Sequence, residues 1–299
     1  MTSSALPQVF KTIKSYREWR RSLTNTVKIG FIPTMGALHQ GHLTLFKKSL
    51  AENDHTVISI FVNPSQFAPT EDLDSYPRTF ERDFALVSEL NVDGKSVDAI
   101  LYPSVDELYP SGIPLDVSKQ TGAFVTVHGL SEQLEGTTRP NFFRGVATVV
   151  TKLFNITQPD IAYFGQKDVQ QTIVLKRMVR DLLIPVEIKV EPIVREESGL
   201  ALSSRNAYLS EELRARCAGI YAALKKGEDA YKAGKSRSEI LDIVKLNLAD
   251  EQFKIDYVSL ADKETLLEVE DLSKGAVLSL AIYVTEGEKT TRLIDNIIL

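Results

Sequence analysis

The sequence predicts an α/β fold, a parallel sheet flanked by helices, followed by a smaller α+β domain at the C-terminal end. Three observations predict it. Apolar runs of strand length alternate with amphipathic stretches of helix length through the first two thirds of the chain, the order that builds a parallel sheet. After about Val194 the alternation stops and two charged helical stretches lead into three short apolar runs. The 299 residues, 43% hydrophobic and 25% charged, suffice for one large core or two of ordinary size.

Taken in order, Val27 to Ile32 reads as the first strand. His42 to Asn53 follows as a helix with Leu43, Phe46 and Leu50 on one face, and Thr56 to Val62 as the next strand, completing a βαβ unit. Phe80 to Leu90 continues as a helix, Ala99 to Tyr102 as a short strand, and Gly145 to Phe154 as a buried helix carrying Val146, Val149, Val150 and Leu153. Asp160 to Phe164 and Val186 to Val190 read as strands on either side of a helix from Asp168 to Leu182. This is a Rossmann-like layout, expected over residues 1–193. Residues 194–299 read as the second domain, with helices at Ser210 to Ala233 and Ser236 to Ala249 and strands at Lys254 to Leu260, Ala276 to Val284 and Thr291 to Ile298. A polar loop, Glu196 to Asn206, opens it and is expected to be mobile.

Composition excludes several classes. The net charge of −5 leaves no broad basic surface for a nucleic-acid backbone. Met1 to Gln8 has no apolar run flanked by basic residues, and no stretch reaches membrane-spanning length, so a cytoplasmic protein with no membrane partner is expected. Cys217 is the one cysteine and reads as a small apolar filler in a helix. Gly94-Lys95-Ser96 lacks the earlier glycine of a phosphate-binding loop and reads as a turn.

Three clusters carry chemistry. His39 and His42 stand three apart where a strand passes into a helix, and are expected to share a face of its first turn. Gly41 between them lets a phosphate or flat ring approach the backbone, and a helix N-terminus offers amides to an anion. The strand enters through Pro33-Thr34-Met35-Gly36, at the edge where open α/β sheets bind ligands. Two surface histidines beside a helix cap are the plain alternative. Zinc is disfavoured, with no glutamate between the pair and no cysteine partner, and firm protein ligands for a metal are not expected. The second cluster, Gly165-Gln166-Lys167-Asp168, again follows a strand and offers close backbone approach, a cation for phosphate and an acceptor for ribose hydroxyls. An ordinary strand-to-helix turn is its alternative. The third, Leu202-Ser203-Ser204-Arg205-Asn206, sets two hydroxyls before a guanidinium suited to two-point phosphate contact, or is simply a capped loop.

Together the clusters resemble one known arrangement. His39-Gln40-Gly41-His42 resembles the HxGH signature of the class I nucleotidyltransferases, and Leu202 to Asn206 is similar to their KMSKS-type loop. Over nearly the whole chain the resemblance is to the pantothenate synthetase family, carried by Phe31 to His42, Phe61-Val62-Asn63-Pro64-Ser65-Gln66-Phe67, Glu135-Gly136-Thr137-Thr138-Arg139-Pro140 and Phe164 to Asp168. The resemblance implies an ATP- and Mg2+-dependent ligase acting in two half-reactions. Pantoate attacks the α-phosphate of ATP, and β-alanine then attacks the pantoyl adenylate. It implies catalytic roles for His42, His39, Lys167 and Arg205. It places ATP on Met35, Gly36, His39, Gly41, His42, Gly165, Gln166, Lys167, Asp168, Val194, Leu202, Ser203, Ser204 and Arg205, and pantoate on Gln66 and Gln171. A homodimer is implied as well. Phe61 and Phe67 suit either the gem-dimethyl group of pantoate or core packing. Ser65, Ser198 and Leu202 depart from the family pattern, and Asn91 to Asp98 reads as a surface insertion.

Overall fold

The computed structural model describes residues 6–24, 26–69 and 71–299, so the first five residues of the Met1 to Gln8 segment lie outside it. The chain forms two compact units. The first takes the described residues up to Glu132, with Gly136–Gly165 and Val174–Glu191; the second takes Gln133–Glu135, Gln166–Ile173 and Pro192–Leu299. The sequence division at 193/194 runs close to the chain crossing at Glu191/Pro192. Two earlier segments join the second unit for a physical reason: Glu135 is held there by two bonds from the Arg292 guanidinium, at 2.5 and 2.6 Å, and Gln166 by Asn296.

Among the described residues the elements are β1 (Gln8–Phe10), α1 (Ile13–Ser22), β2 (Ile29–Thr34), α2 (Gln40–Glu52), β3 (His55–Ile60), α3 (Phe80–Ser88), β4 (Ala99–Leu101), α4 (Val105–Leu108), α5 (Glu135–Thr138), α6 (Phe142–Thr157), β5 (Ile161–Gly165), α7 (Val169–Asp181), β6 (Glu187–Glu191), α8 (Glu211–Lys232), α9 (Arg237–Asn247), β7 (Phe253–Ala261), β8 (Val277–Glu286) and β9 (Lys289–Ile298). In the first unit six strands pair in parallel in the order β1-β4-β3-β2-β5-β6. The order reverses between β2 and β5, which is where an open sheet leaves a crevice at its carboxyl edge. The chain leaves β2 and β5 at that edge through the first two clusters.

Alternation along β2 sets the layers. Ile32 points to one face, where Leu45, Phe46 and Leu50 of α2 pack with Ile58, Ile60 and Ile100 of the neighbouring strands. Phe31 points to the other and meets Phe154 of α6 edge-on at 6.3 Å. A 13-residue helix such as α2 is marginal alone, so it is this apolar stripe, worth roughly 1.5–3 kcal/mol per fully buried side chain, that fixes it. β1 and α1 are additions to what the sequence predicts. β1 is only three residues long, and α1 buries a single residue, Tyr16, whose hydroxyl donates to the Thr157 carbonyl.

The stretch expected as an insertion, residues 91–98, makes a tight turn with Asp93 and Gly94 both at positive φ. It is only partly a surface feature, since Val97 is buried and Lys95 donates to the Asn53 carbonyl.

The second unit is an antiparallel sheet, β7-β8-β9, under α8 and α9. Leu278, Leu280, Ile282 and Val284 lie on one face of β8 and pack with Cys217, Ile220, Leu224, Ile240 and Val244 of the helices. Ser210 caps α8 and Ser236 forms a reciprocal capping box with Glu239 on α9. Cys217 is the expected filler, and burial pushes its thiol up to about 12, which keeps it protonated and inert. Among the described residues no helix is long and apolar enough to cross a membrane.

The C-terminal end of α2 is stapled to the sheet by polar groups. Tyr163 on β5 donates to Glu52 at 2.9 Å and accepts from Asn53 at 2.8 Å, while Lys48 and Lys189 pair with Glu52 at 2.7 and 2.9 Å. The hydrogen bond from Lys48, helped by Lys189 and Tyr163 and opposed by burial, lowers the Glu52 carboxyl to about 2. A depressed pKa means that this stabilisation is present above the ordinary value of 4.5 and is lost as pH falls from there toward 2. We therefore predict that Glu52→Gln lowers the midpoint of urea unfolding at pH 7, and that the gap from wild type closes steadily between pH 4.5 and 2. Unfolding curves over that range check this.

Candidate active site

The loop leaving β2 is shaped by a buried carboxylate. Thr34 donates to the Ser59 carbonyl at 2.7 Å and accepts from the Gly36 amide at 3.2 Å, turning the chain sharply. Gly36 has φ of 84°, and a Cβ there would come within 3.1 Å of the Asp83 carboxylate, so only glycine suits the position. Asp83, on α3 and fully buried, accepts the amides of Ala37 and Leu38, each at 2.9 Å, and the Thr79 hydroxyl at 3.1 Å.

That clamp delivers the histidines. His39 is not on the first helical turn as the spacing suggests; its backbone is extended, and it is the N-cap of α2. Its Nδ1 accepts the Gly41 amide at 3.2 Å, and Nδ1 of His42, the third helical residue, accepts the His39 amide at 3.3 Å. The two imidazoles thus form a capping box and stand 4.1 Å apart between centroids. The helix cap of the plain alternative is therefore present and is formed by the histidines themselves. An Nδ1 that accepts a backbone N–H belongs to a neutral ring carrying its proton on Nε2, so capping fixes both rings as Nε2–H donors. Met35 and Gly41, in the same segment, are half-buried.

The loop after β3 carries the next expected residue. Asn63 to Phe67 contains a 3₁₀ turn over Pro64–Gln66, pressed against α6 at Gly145. A Cβ on Gly145 would sit 2.3 Å from the Ser65 carbonyl oxygen, so the contact is backbone against backbone. Gln66 and Phe67 line a cavity of about 500 Å³ together with Glu71, Arg139, Pro140 and Phe142. Arg139 bonds both Glu71 oxygens at 2.7 Å and lies 3.9 Å over the Phe142 ring. Its charge is thereby neutralised and held flat. Phe61 is buried against Tyr109, outside the cavity lining, so of the two aromatic residues only Phe67 reaches it.

Gly165 ends β5 with open space where a side chain would be, so packing does not demand a glycine there. Gln166, Lys167 and Asp168 form a 3₁₀ turn in the second unit. Asn296 on β9 holds it: its side-chain amide donates to the carbonyls of Gln166 and Lys167 at 2.9 and 3.0 Å and accepts from Gln166 Nε2 at 3.1 Å. Gln171 lies on the first turn of α7 in the same unit, whereas Gln66 belongs to the other.

The third cluster is built on a short hairpin. Leu202 donates its amide to Val194 at 2.9 Å, bringing two expected nucleotide contacts together, and Arg195 bridges to Ala201, closing a hairpin turned at Ser198 and Gly199. Arg195 bonds both oxygens of buried Asp295 at 2.6 and 2.8 Å and stacks 3.7 Å from the Tyr221 centroid. Glu196 accepts from Asn206 at 3.1 Å and from Arg214 at 2.7 Å, tying both ends of the segment to α8. Ser203 caps a 3₁₀ turn that begins at Ser204 and includes Arg205. Of the departures, Ser198 accepts the Leu200 amide within the turn, and Ser65 is buried and hydrogen-bonded.

Comparison with known proteins places this geometry. The model of the family described as pantoate-beta-alanine ligase matches residues 8–298. The chain belongs to the pantoate-beta-alanine ligase family. It shares 50% identity with the pantoate-beta-alanine ligase of Saccharomyces cerevisiae, over 98% of this chain and 100% of the relative. With the pantothenate synthetase of Herpetosiphon aurantiacus it shares 46%, over 98% and 100%. The crystal structure of pantothenate synthetase from Thermus thermophilus superposes with a TM-score of 0.87 at 43% identity, covering 97% of this chain and 98% of that one. The Francisella tularensis pantoate-beta-alanine ligase, solved in complex with beta-gamma ATP and beta-alanine, superposes at 0.77 with 33% identity over 98% and 97%. The sequence reading of family, fold and reaction agrees with these likenesses: the chain is a ligase that joins pantoate to β-alanine.

Sequence reasoning misses Asp83, the Arg139–Glu71 pair and Asn296. Asp83 and Asn296 belong to periodic apolar elements and show their role only through partners 45 and 130 residues away. We predict that Asp83→Asn, which turns an N–H toward the Ala37 and Leu38 amides, destabilises the ligase by about 1–3 kcal/mol and lowers turnover with it. Denaturant midpoints and steady-state rates measured on one preparation check both.

Proposed function

We propose that the paired imidazole cap of His39 and His42 is the phosphate-facing part of an ATP site, in which the pantoate carboxylate is adenylated before β-alanine attacks. The observation carrying this reading is the capping box, because it commits Nδ1 of each ring to the backbone and so presents Nε2–H as a donor. In the first step a pantoate carboxylate oxygen bonds to the α-phosphorus of ATP, the bond to the bridging oxygen breaks, and pyrophosphate leaves with the electron pair. Charge grows on that bridging oxygen, so a fixed donor facing it stabilises the transition state more than the bound substrate. In the second step the β-alanine amine adds to the acyl carbon, AMP leaves with the acyl–oxygen electron pair, and the amine gives up a proton.

ATP enters as its magnesium complex, and Lys167 and Arg205 add cationic charge on the phosphates. Ser203 and Ser204 donate hydroxyl hydrogen bonds, and Asp168 accepts from the ribose. Met35, Gly36, Gly41, Gly165, Gln166, Val194 and Leu202 supply backbone and apolar contacts to the nucleotide. Gln66 and Gln171 hold pantoate through amides, which orient a carboxylate without the charge pairing that would blunt it as a nucleophile. The family resemblance supports a homodimer working in the cytoplasm.

Given pantoate and ATP without β-alanine, the enzyme should release one pyrophosphate per site and retain the adenylate; rapid-quench traces with no pyrophosphate until β-alanine arrives would rule out this order. His42→Ala should reduce turnover about two to four orders of magnitude with a smaller change in ATP affinity. Arg205→Lys should be impaired nearly as much as Arg205→Ala, since the ammonium keeps the charge but loses the two-point geometry. Near-normal adenylation by either variant returns that residue to a structural role.

A further inference from the structure

Gln66 has an amide whose two ends offer opposite chemistry to whatever the cavity holds, so its function depends on which end points inward. The surrounding residues decide this. Asn63, Ser65 and Tyr109 are all buried, and three of their oxygens form a closed triangle. Tyr109 Oη lies 2.7 Å from Asn63 Oδ1, Ser65 Oγ lies 2.9 Å from the same oxygen, and the two hydroxyls are 2.8 Å apart. The Tyr109 proton goes to the Asn63 carbonyl, and so does the Ser65 proton at the shorter of its two acceptor distances, 2.9 Å against 3.3 Å to the Gly145 carbonyl. On its other side Asn63 Nδ2 faces the Gly145 carbonyl oxygen at 3.3 Å and Gln66 Oε1 at 2.9 Å. A backbone carbonyl only accepts, so the Asn63 amide cannot be turned round without setting two acceptors against each other. With Asn63 fixed, Gln66 must offer it the carbonyl, which leaves the Gln66 NH2 for the cavity that Gln66 lines.

Two details reinforce the triangle. The Tyr109 hydroxyl is raised to about 12 by burial, so it keeps its proton at any physiological pH. Lys152 Nζ sits 3.9 Å from the Tyr109 ring centroid and donates to the Leu108 carbonyl at 2.6 Å, holding the ring in place.

We propose that Ser65 and Tyr109 are positioning residues that act through Asn63 to orient the Gln66 amide, so that the cavity presents an N–H donor to an oxygen-bearing acid. The ligand class follows: a carboxylate or hydroxyl oxygen is accepted at that point, and an amide N–H or ammonium is turned away. This rests on the reading that Gln66 contacts pantoate. Tyr109 lies outside the cavity lining, and Ser65, which lines it, commits its hydroxyl to the triangle, so the signature is a selective change in pantoate affinity.

The experiment compares Ser65→Ala, Tyr109→Phe and the double variant with wild type, measuring kcat and KM for pantoate, ATP and β-alanine together with thermal unfolding. Each single variant keeps one donor to Asn63 and should raise the pantoate KM about three- to tenfold, and the double variant about ten- to a hundredfold. The KM for ATP should be unchanged throughout. If the double variant does not fold, the singles carry the comparison. In an Asn63→Ala background the double substitution should add nothing, because the effect is relayed through that amide. A wild-type pantoate KM in the double variant, an equal rise in the ATP KM, or an undiminished effect without Asn63 overturns the proposal. Gln66→Ala separates the two levels. If it raises the pantoate KM while the double variant does not, only the positioning proposal falls; if it leaves that KM unchanged, the assignment of Gln66 to pantoate falls and the proposal with it.

Discussion

The histidine-bearing loop of the first unit depends on a single carboxylate. Asp83 shapes the loop through two backbone amides and a hydroxyl, all donating to its two oxygens. Such an arrangement satisfies a buried charge by hydrogen bonds, and each amide it accepts lies in the four residues that join β2 to the His39 cap. The loop is therefore set from α3, a different element from the one it feeds. The start of α2 is held by that clamp and by imidazole capping, and its far end by Glu52, Asn53 and Tyr163. A helix pinned at both ends by polar groups and along its length by Leu45, Phe46 and Leu50 gives the histidines little freedom.

Much of this is legible in the sequence, and the legible part is local. The alternation of Phe31 and Ile32, the stripe of α2 and the even-numbered apolar residues of β8 are periodic signals, and the strands and helices they predict are those observed, displaced by a few residues at their ends. The histidines and Lys167 stand out because glycine and strand ends frame them, Arg205 because two serines precede it, and Gln66 only through the family resemblance. Partners that hold these residues do not stand out. A buried aspartate or asparagine in an apolar helix or strand looks like an ordinary polar interruption until the chain segment that it bonds is known.

The errors have the same origin. Spacing places His39 within the helix because it carries no information about whether a residue caps or continues. Polarity in the 196–206 segment gives no hint that Glu196 and Asn206 bond each other and Arg214. Ser65 reads only as a departure from the family pattern, and its hydroxyl completes a hydrogen-bonded triangle.

The bond between Asn296 and the 166–168 turn joins residues about 130 positions apart. During synthesis at about 5–20 residues per second, the turn waits on the order of ten seconds for the strand that holds it. The histidine loop waits for Asp83 only about a third as long, since 45 residues separate that pair. The partners of the two loops thus become available at different times during synthesis. Asp83 is therefore already synthesised when the 166–168 turn is made, whereas the carbonyls of Gln166 and Lys167 gain the Asn296 amide only when the last strand follows.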